Sequence, residues 1–480
     1  MGWNDEEVQN TKKGMNASTK VLLGIIACII FIIILLIVIL MNNKSTSFKI
    51  YVDGGVSSKA SQETLINIID GVKYVNIEEF AGLVGYDYHK GEYKSSIIET
   101  DKCYVEGEIE TASFYLNDNT IYKLPVKERE KQYQEFVVED AIRSVNNKMY
   151  ASYEAVSKAF NVVINETSNS IQIYTLEYLV KLYNANVKKW GYADISEQGF
   201  ENHKAILYGC LIVKKQDGLF KIIDLSNTKE IVLDRYTTIT FSENTQEFFV
   251  TDNYGKMGIV NLDGTSKIEP NYDKISTFDK EADLYLVEQS KKYGIVKSGN
   301  ITVIFPEYDS IGLSSNPRNT SKNKNLILDT LIPVCKDKKW GAFNKQGNLV
   351  LNIEYDAFGF DLTSIEIDGI KESVEPILAI ERANGVVVKK GDKYGLFSMS
   401  GQELVPIAVD AIYAIPDVTD VDSKYFMLYY EDELNVIERL IIAGLIKDTS
   451  NEETNEPTDN NTQNNIENEI NNSYSNIVED

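Results

Sequence analysis

The chain of 480 residues is 43% apolar with a net charge of −24, which leaves room for about three domains of roughly 150 residues each. That charge argues against nucleic acid and anionic lipid headgroups as partners, because both are bound by clustered Lys and Arg that displace counterions. The 29 Tyr, against 18 Phe and 3 Trp, favour half-exposed β-structure over a helical bundle.

Residues 1–20 form a short head, and Val21 to Met41 reads VLLGIIACIIFIIILLIVILM with no charge. At 1.5 Å per residue this run matches a hydrocarbon core of about 30 Å, and it is longer than the core of a cleaved signal peptide. We expect a single membrane helix at 21–41 with the head in the cytoplasm. The bulk of the chain is then extracellular, since Lys12, Lys13 and Lys20 precede the run and only Lys44 and Lys49 follow it closely.

From 48 to 176 two similar blocks appear. DGVKYVNIEEFAGLVGYDYHKG (Asp70 to Gly91) reads as strand, amphipathic helix and strand, and KMYASYEAVSKAFNVVIN (Lys148 to Asn165) repeats that order, with SIQIYT as a closing strand. The pattern predicts two halves of one small α+β domain. It resembles the N-terminal domain of copper amine oxidases, which the resemblance implies is a spacer or second binding element. The oxidase chemistry does not carry over, because copper sites rely on imidazole and this chain has two histidines, His89 and His203. LEYLVKLYNANVKKWGYA and the residues after it, 177–204, read as a helical linker.

The strongest signal begins near residue 205. Counting from the glycine that follows an aromatic residue or Met, Gly258 to Asp273, Gly294 to Asp309, Gly341 to Asp356 and Gly395 to Asp410 are each separated by 15 residues. A looser copy is expected with Gly218 as its reference, and another near Tyr425, with Asn435 in the glycine's place. Within a unit, short alternating runs are broken by turn residues, as three or four antiparallel strands require. A unit this small cannot bury its apolar face alone, so units must stack. The glycine is expected to allow close backbone approach or positive φ, and the Asp to accept turn hydrogen bonds. A cation site along the Asp series is the less favoured reading.

KKWGAFNKQGNLV and DKYGLFSMSGQELV resemble WG repeats, whose name comes from a Trp-Gly pair kept here at Trp340 and Gly341. The resemblance implies a propeller-like β-repeat array. The expected fold is therefore mainly β: a membrane anchor, an α+β domain at 48–176, a helical linker at 177–204, and an array of about five to six antiparallel β repeats at 205–447. The stretch 448–480 has nine acids, ten Asn and no Lys or Arg, a composition expected to stay disordered.

The repeated residues Gly218, Gly258, Gly294, Trp340, Gly341, Gly395, Asp273, Asp309, Asp356 and Asp410 read as scaffold. No catalytic motif, cofactor loop or metal cluster stands out. The four cysteines Cys28, Cys103, Cys210 and Cys335 form no CxxC pair and read as buried thiols, with one disulfide as the alternative. Two insertions, Gly312 to Leu331 and Gly359 to Ile377, break the period and are the expected contact surface. The first carries Arg318, Lys322 and Lys324. The function expected is non-catalytic binding of an envelope protein or cell-wall polymer. The alternative is a glycan-acting enzyme, which would need two carboxyl groups about 5 to 10 Å apart across a cleft, one of them with a raised pKa.

Overall fold

The computed structural model describes residues 48–436 except 94–95, 97–99, 117–118, 127–133, 233–234, 317, 320, 368–369, 417–423 and 431–432. The apolar run at 21–41, Cys28, the head and the acidic tail lie outside the described residues. Among the described residues no helix is long and apolar enough to cross a membrane. The chain divides into two compact units, 1–306 and 307–480.

In the first unit, residues 48–176 build three sheets. Asn76 accepts the N–H groups of Glu78 and Glu79 and so starts the helix Ile77–Val84, which Gly85 ends at φ 82°. Ser152 and Asn161 do the same for the helix Tyr153–Phe160. The strands that lead into these helices, Val72–Asn76 and Lys148–Ser152, pair antiparallel with Ser152 opposite Tyr74 and Tyr150 opposite Asn76. The two similar blocks therefore meet edge to edge. Strand Lys49–Val52 runs parallel to Ser170–Thr175, and a five-stranded antiparallel sheet runs from Asp87 to Val137. Phe80, Phe114, Ile121 and Phe160 share one core.

The helix Leu176–Val187 follows, and after it a short helix Phe200–Lys204. Where the repeat array is expected to begin, residues Ala205–Tyr208 form a 3-10 turn. Gly209 ends it at φ 77°, which confines the first strand to Cys210–Lys214.

The repeats form successive antiparallel sheets. In the first unit, Cys210–Lys214 and Phe220–Asp224 join at Phe220 and Tyr236 to the meander Tyr236–Ser242, Glu247–Asp252, Met257–Asn261 and Ser266–Tyr272. The next meander is Lys274–Asp279, Leu284–Gln289, Lys292–Lys297 and Ile301–Tyr308. In the second unit, Ser310–Ile311, Leu331–Lys336, Lys339–Asn344 and Leu349–Tyr355 form one sheet. Ala357–Phe358, Gly385–Lys390, Lys393–Ser398 and Glu403–Val409 form another, and Ala411–Pro416, Lys424–Tyr430 and Glu433–Val436 follow. The 15-residue frame thus covers the last two strands of a meander, and the repeated Asp is the single residue before the next meander starts. Cys103, Cys210 and Cys335 are free thiols, the first two buried.

Candidate binding face

The repeated residues come together at the joint between successive sheets. A Cβ on Gly258, Gly294 or Gly341 would lie 2.5, 2.6 or 2.7 Å from the carbonyl oxygen of Ile268, Ile304 or Leu351, and one on Gly395 would lie 3.0 Å from that of Val405. None of the four needs positive φ. Gly258, Gly341 and Gly395 sit where the register with the fourth strand shifts, and the bulge there brings two backbones into contact. The Trp340 ring stands edge-on to Phe358 of the following sheet at 6.1 Å.

Gly218 has a different role. It takes φ 90° in an open turn, as Gly255 does at φ 76°, with nothing near its Cβ position. Counting on from these two turn glycines places Lys221 where Gly258 stands. Lys221 is 3% exposed and its amine donates to the Val232 carbonyl at 3.2 Å. The first repeat therefore has a buried lysine at its reference position, and the Gly218 assignment was three residues out of register.

In two of the frames, those of Asp273 and Asp356, the Asp ties one sheet to the next. Asp356 donates its N–H to the Lys389 carbonyl at 2.8 Å, and its carboxylate accepts the Gly391 N–H at 2.8 Å and the Lys339 amine at 2.5 Å. Asp273 repeats this with Glu288, Ser290 and Lys256. Asp309 binds the Cys335 carbonyl and the Asp337 N–H, and Asp410 accepts the Lys393 amine. Asp337 and Lys338 both have positive φ, as do Ser290 and Lys291; this two-residue turn points its N–H at the carboxylate. The hydrogen bond from Lys256, then the N–H of Ser290, hold the Asp273 carboxyl below its usual range, and Lys339 and Gly391 do the same for Asp356. These aspartates are engaged by lysine, by backbone N–H groups or by both, and among the described residues no carboxylates cluster closely enough to hold a metal ion. The lysine two residues before the glycine, at 256, 292, 339 and 393, was a sequence signal left unread.

Both insertions leave the second unit at the same connection, between the first and second strands of successive sheets. In the first unit the corresponding link in the sheet Lys274–Tyr308 runs only from Lys280 to Asp283. The first insertion is anchored by Leu313 and Ile327, both in the core. Buried Asn319 donates to the carbonyls of Lys324 and Leu326, while Asp329 accepts the N–H groups of Lys322 and Asn323. The second closes on reciprocal Phe360 and Ile377 hydrogen bonds and projects the hairpin Ser364–Ile367 and Ile370–Ser373. Arg318 donates to the Asp361 carbonyl at 3.0 Å, joining the two insertions. The Lys324 amine donates to the Asn319 carbonyl at 2.7 Å, and Lys322 is exposed, as is Lys324. Of the expected positive patch, Arg318 and Lys324 thus fasten the loops, while Lys322 and Lys324 are both exposed to solvent. Leu362 beside them is 51% exposed.

The first unit brings one buried pair of carboxylates together. Glu110 and Glu243 are both buried, and each binds both Lys123 and Lys204 at 2.5 to 3.3 Å. Burial raises the Glu110 pKa, but Lys123 and Lys204 outweigh it and hold the carboxyl below its ordinary value. This is the opposite of a general acid. A cavity of about 310 Å3 lies beside it, lined by Ile109, Glu110, Pro125, Phe200, Glu201 and Asn202; both of its carboxylates pair with Lys204. His89 stacks on Tyr104, and the His203 ring nitrogen meets the Ile195 carbonyl.

The family model described as WG containing repeat matches residues 257–293 and 340–361. No curated protein sequence matches the chain. Among solved structures, a eukaryotic initiation factor is similar at 12% identity and TM-score 0.20, over 46% of this chain and 67% of that one. The WD40 β-propeller domain of Doa1 is similar at 9% identity and TM-score 0.17, over 68% and 88%. BamB from Moraxella catarrhalis is similar at 15% identity and TM-score 0.14, over 47% and 72%. Likenesses this distant do not fix how the sheets are arranged, and no match supports the amine-oxidase resemblance of 48–176. From its own sheets the chain is a mainly β protein, and over residues 257–293 and 340–361 it matches the WG-containing repeat.

Proposed function

We propose that this is a non-catalytic binding or scaffold protein, held in the membrane by the 21–41 segment with its bulk outside the cell. Its WG-repeat array contacts an envelope protein or cell-wall polymer. The observation that carries the reading is the Arg318 to Asp361 hydrogen bond, which joins two insertions at the same connection of adjacent sheets into one surface. Loops that vary on a repeated scaffold are where such proteins place recognition. The buried carboxylates Glu110 and Glu243, both neutralised by lysine, weigh against the glycan-acting alternative.

The test is co-sedimentation of residues 44–447 with isolated cell-wall sacculi, for the native sequence and for a variant with Ser364 to Ser373 replaced by a short turn. Saturable pelleting that glycan fragments compete away and the variant loses supports the reading. Equal pelleting of both moves recognition off this face. If neither pellets, cross-linking on intact cells decides whether the partner is a protein.

A further inference from the structure

Two independent features meet where residues 48–209 join the first repeats, both within the first unit. The first is apolar. Strands Cys210–Lys214 and Phe220–Asp224 alternate their side chains between two cores, as the period-two pleat requires. Cys210, Ile212 and Ile222 face Phe241, Phe248 and Val250 of the second repeat. Leu211, Val213 and Ile223 face the other way and are covered by Leu176, Leu179, Val180 and Val187 of the long helix, with Ile195 and Ile206. The strand edge is closed as well: the Ala193 N–H donates to the Lys214 carbonyl, and the Gln198 amide to that of Ile212 at 3.0 Å.

The second is polar. Lys123 and Lys204, 1% and 0% exposed, lie among Glu110, Glu243 and Asn161. The Lys123 amine reaches Glu243 at 2.9 Å, Asn161 at 2.8 Å and Glu110 at 3.3 Å, and the Lys204 amine reaches Glu110 at 2.5 Å and Glu243 at 2.8 Å. Asn161 donates to Glu110 at 3.1 Å, and Tyr208 to Glu243 at 3.4 Å. Two buried cations and two buried anions balance, and half-exposed Glu201 adds a contact to Lys204 at 3.4 Å from the rim. Glu110 and Lys123 come from neighbouring strands of the five-stranded sheet, Asn161 ends the helix Tyr153–Phe160, Lys204 ends the short helix, and Glu243 lies in the turn after Tyr236–Ser242. Four regions distant in sequence thus depend on one another to neutralise charges that none could bury alone.

We propose that residues 48–209 are the N-terminal cap of the repeat array, locked to it by this lattice so that the α+β region and the first repeats open and close as one cooperative body with no hinge between them. A repeat array exposes an apolar face at each end, and a cap with a different chemistry is needed to seal it. The helices seal the face, and the lattice admits one orientation, because any displacement strands a buried charge. A partner held by the first repeats would therefore turn the α+β region with it.

The test is hydrogen exchange across a urea series on the full chain in detergent. It compares the strands Lys102–Pro125 with the strands Tyr236–Asp252. In the native sequence both segments should lose protection at the same urea concentration; two separate midpoints would overturn the proposal. Glu243→Gln removes one charge of the lattice at nearly constant shape, and should cut protection in both segments together by about a hundredfold or more. Loss in the repeat strands alone, with Lys102–Pro125 unchanged, would also overturn it. If the variant does not fold, the native midpoints decide by themselves.

Discussion

Gly341→Ala probes the joint on which the repeat frame depends. The new Cβ would lie 2.7 Å from the Leu351 carbonyl oxygen, 2.8 Å from Ile353 Cγ1 and 2.9 Å from the Asn352 carbonyl carbon. Two of these are backbone atoms of the paired strand, so relief requires that strand to move several tenths of an ångström at its bulge. Forcing a methyl into a filled site costs about 1 to 3 kcal/mol, and the loss of unfolded-state freedom from Gly to Ala returns about 0.4 to 1 kcal/mol. The net expectation is a destabilisation centred on about 1.3 kcal/mol and reaching about 2.6 kcal/mol, read as a fall of roughly 3 to 5 °C in Tm at the central value for a unit of this size. Calorimetry of the 44–447 fragment is the assay, with Gly82→Ala as the reference. Gly82 lies inside the helix Ile77–Val84 with nothing within 4 Å of its Cβ position, so alanine there should be neutral or stabilising by up to about 1 kcal/mol. If Gly341→Ala unfolds at or above the native temperature, close backbone approach is not why glycine recurs in the frame.

Other expectations follow from the same contacts. Asp356→Ala should lower Tm more than Lys339→Met, because it leaves both the Gly391 N–H and the Lys339 amine without their acceptor; equal shifts would mean the backbone hydrogen bond contributes nothing. Asp273 and Asp356 have depressed carboxyl pKa values in the folded state, so the stability they supply is present above the ordinary value near 3.9 and is lost as pH falls through the folded values. A urea midpoint titrated from pH 7 downwards should show this acid limb flattened in Asp356→Asn, and an unchanged limb would remove Asp356 from the account. Burial pushes the Cys210 thiol up to about 11 and that of Cys103 higher still. Native-state alkylation mapped by mass spectrometry should therefore modify half-buried Cys335 before either. Early labelling of Cys103 would mean that its sheet opens readily.

The repeat was legible because its joint uses residues with no substitute at close range: a glycine where backbones touch, and an aspartate one residue before a new strand. Their 15-residue separation is the length of two strands and a turn, and that length changes little where loops can vary. What the frame hid was its phase. The sequence marks the recurring pair of strands, whereas the folded meander begins after the aspartate, so the joint and not the unit was what could be counted. Lys221 was missed for a related reason. The first repeat adds a residue near Thr228, and a turn glycine at 218 lay close enough to the expected position to take the label. The buried lattice gave no signal at all, since Glu110, Lys123, Asn161, Lys204 and Glu243 are too far apart in the chain for any pattern of spacing to link them.

The same reasoning explains why the insertions could be located while the part their charges play in the loops could not be read. A break in a regular period shows where a chain leaves its scaffold, and both breaks mapped to the connection between first and second strands. Charge in a loop says less, because a long loop must satisfy its own backbone before it can offer anything to a partner. Arg318 and Lys324 do this by donating to carbonyls of Asp361 and Asn319. Replacing either should loosen the face as well as remove a charge. A loss of binding in Arg318→Ala is therefore evidence for a direct contact only if Arg318→Lys, which keeps the charge but not the planar donor, retains the binding. If both variants lose it, the guanidinium acts by holding the two insertions together, and recognition falls to what that geometry presents: Lys322, Leu362 and the hairpin beyond them.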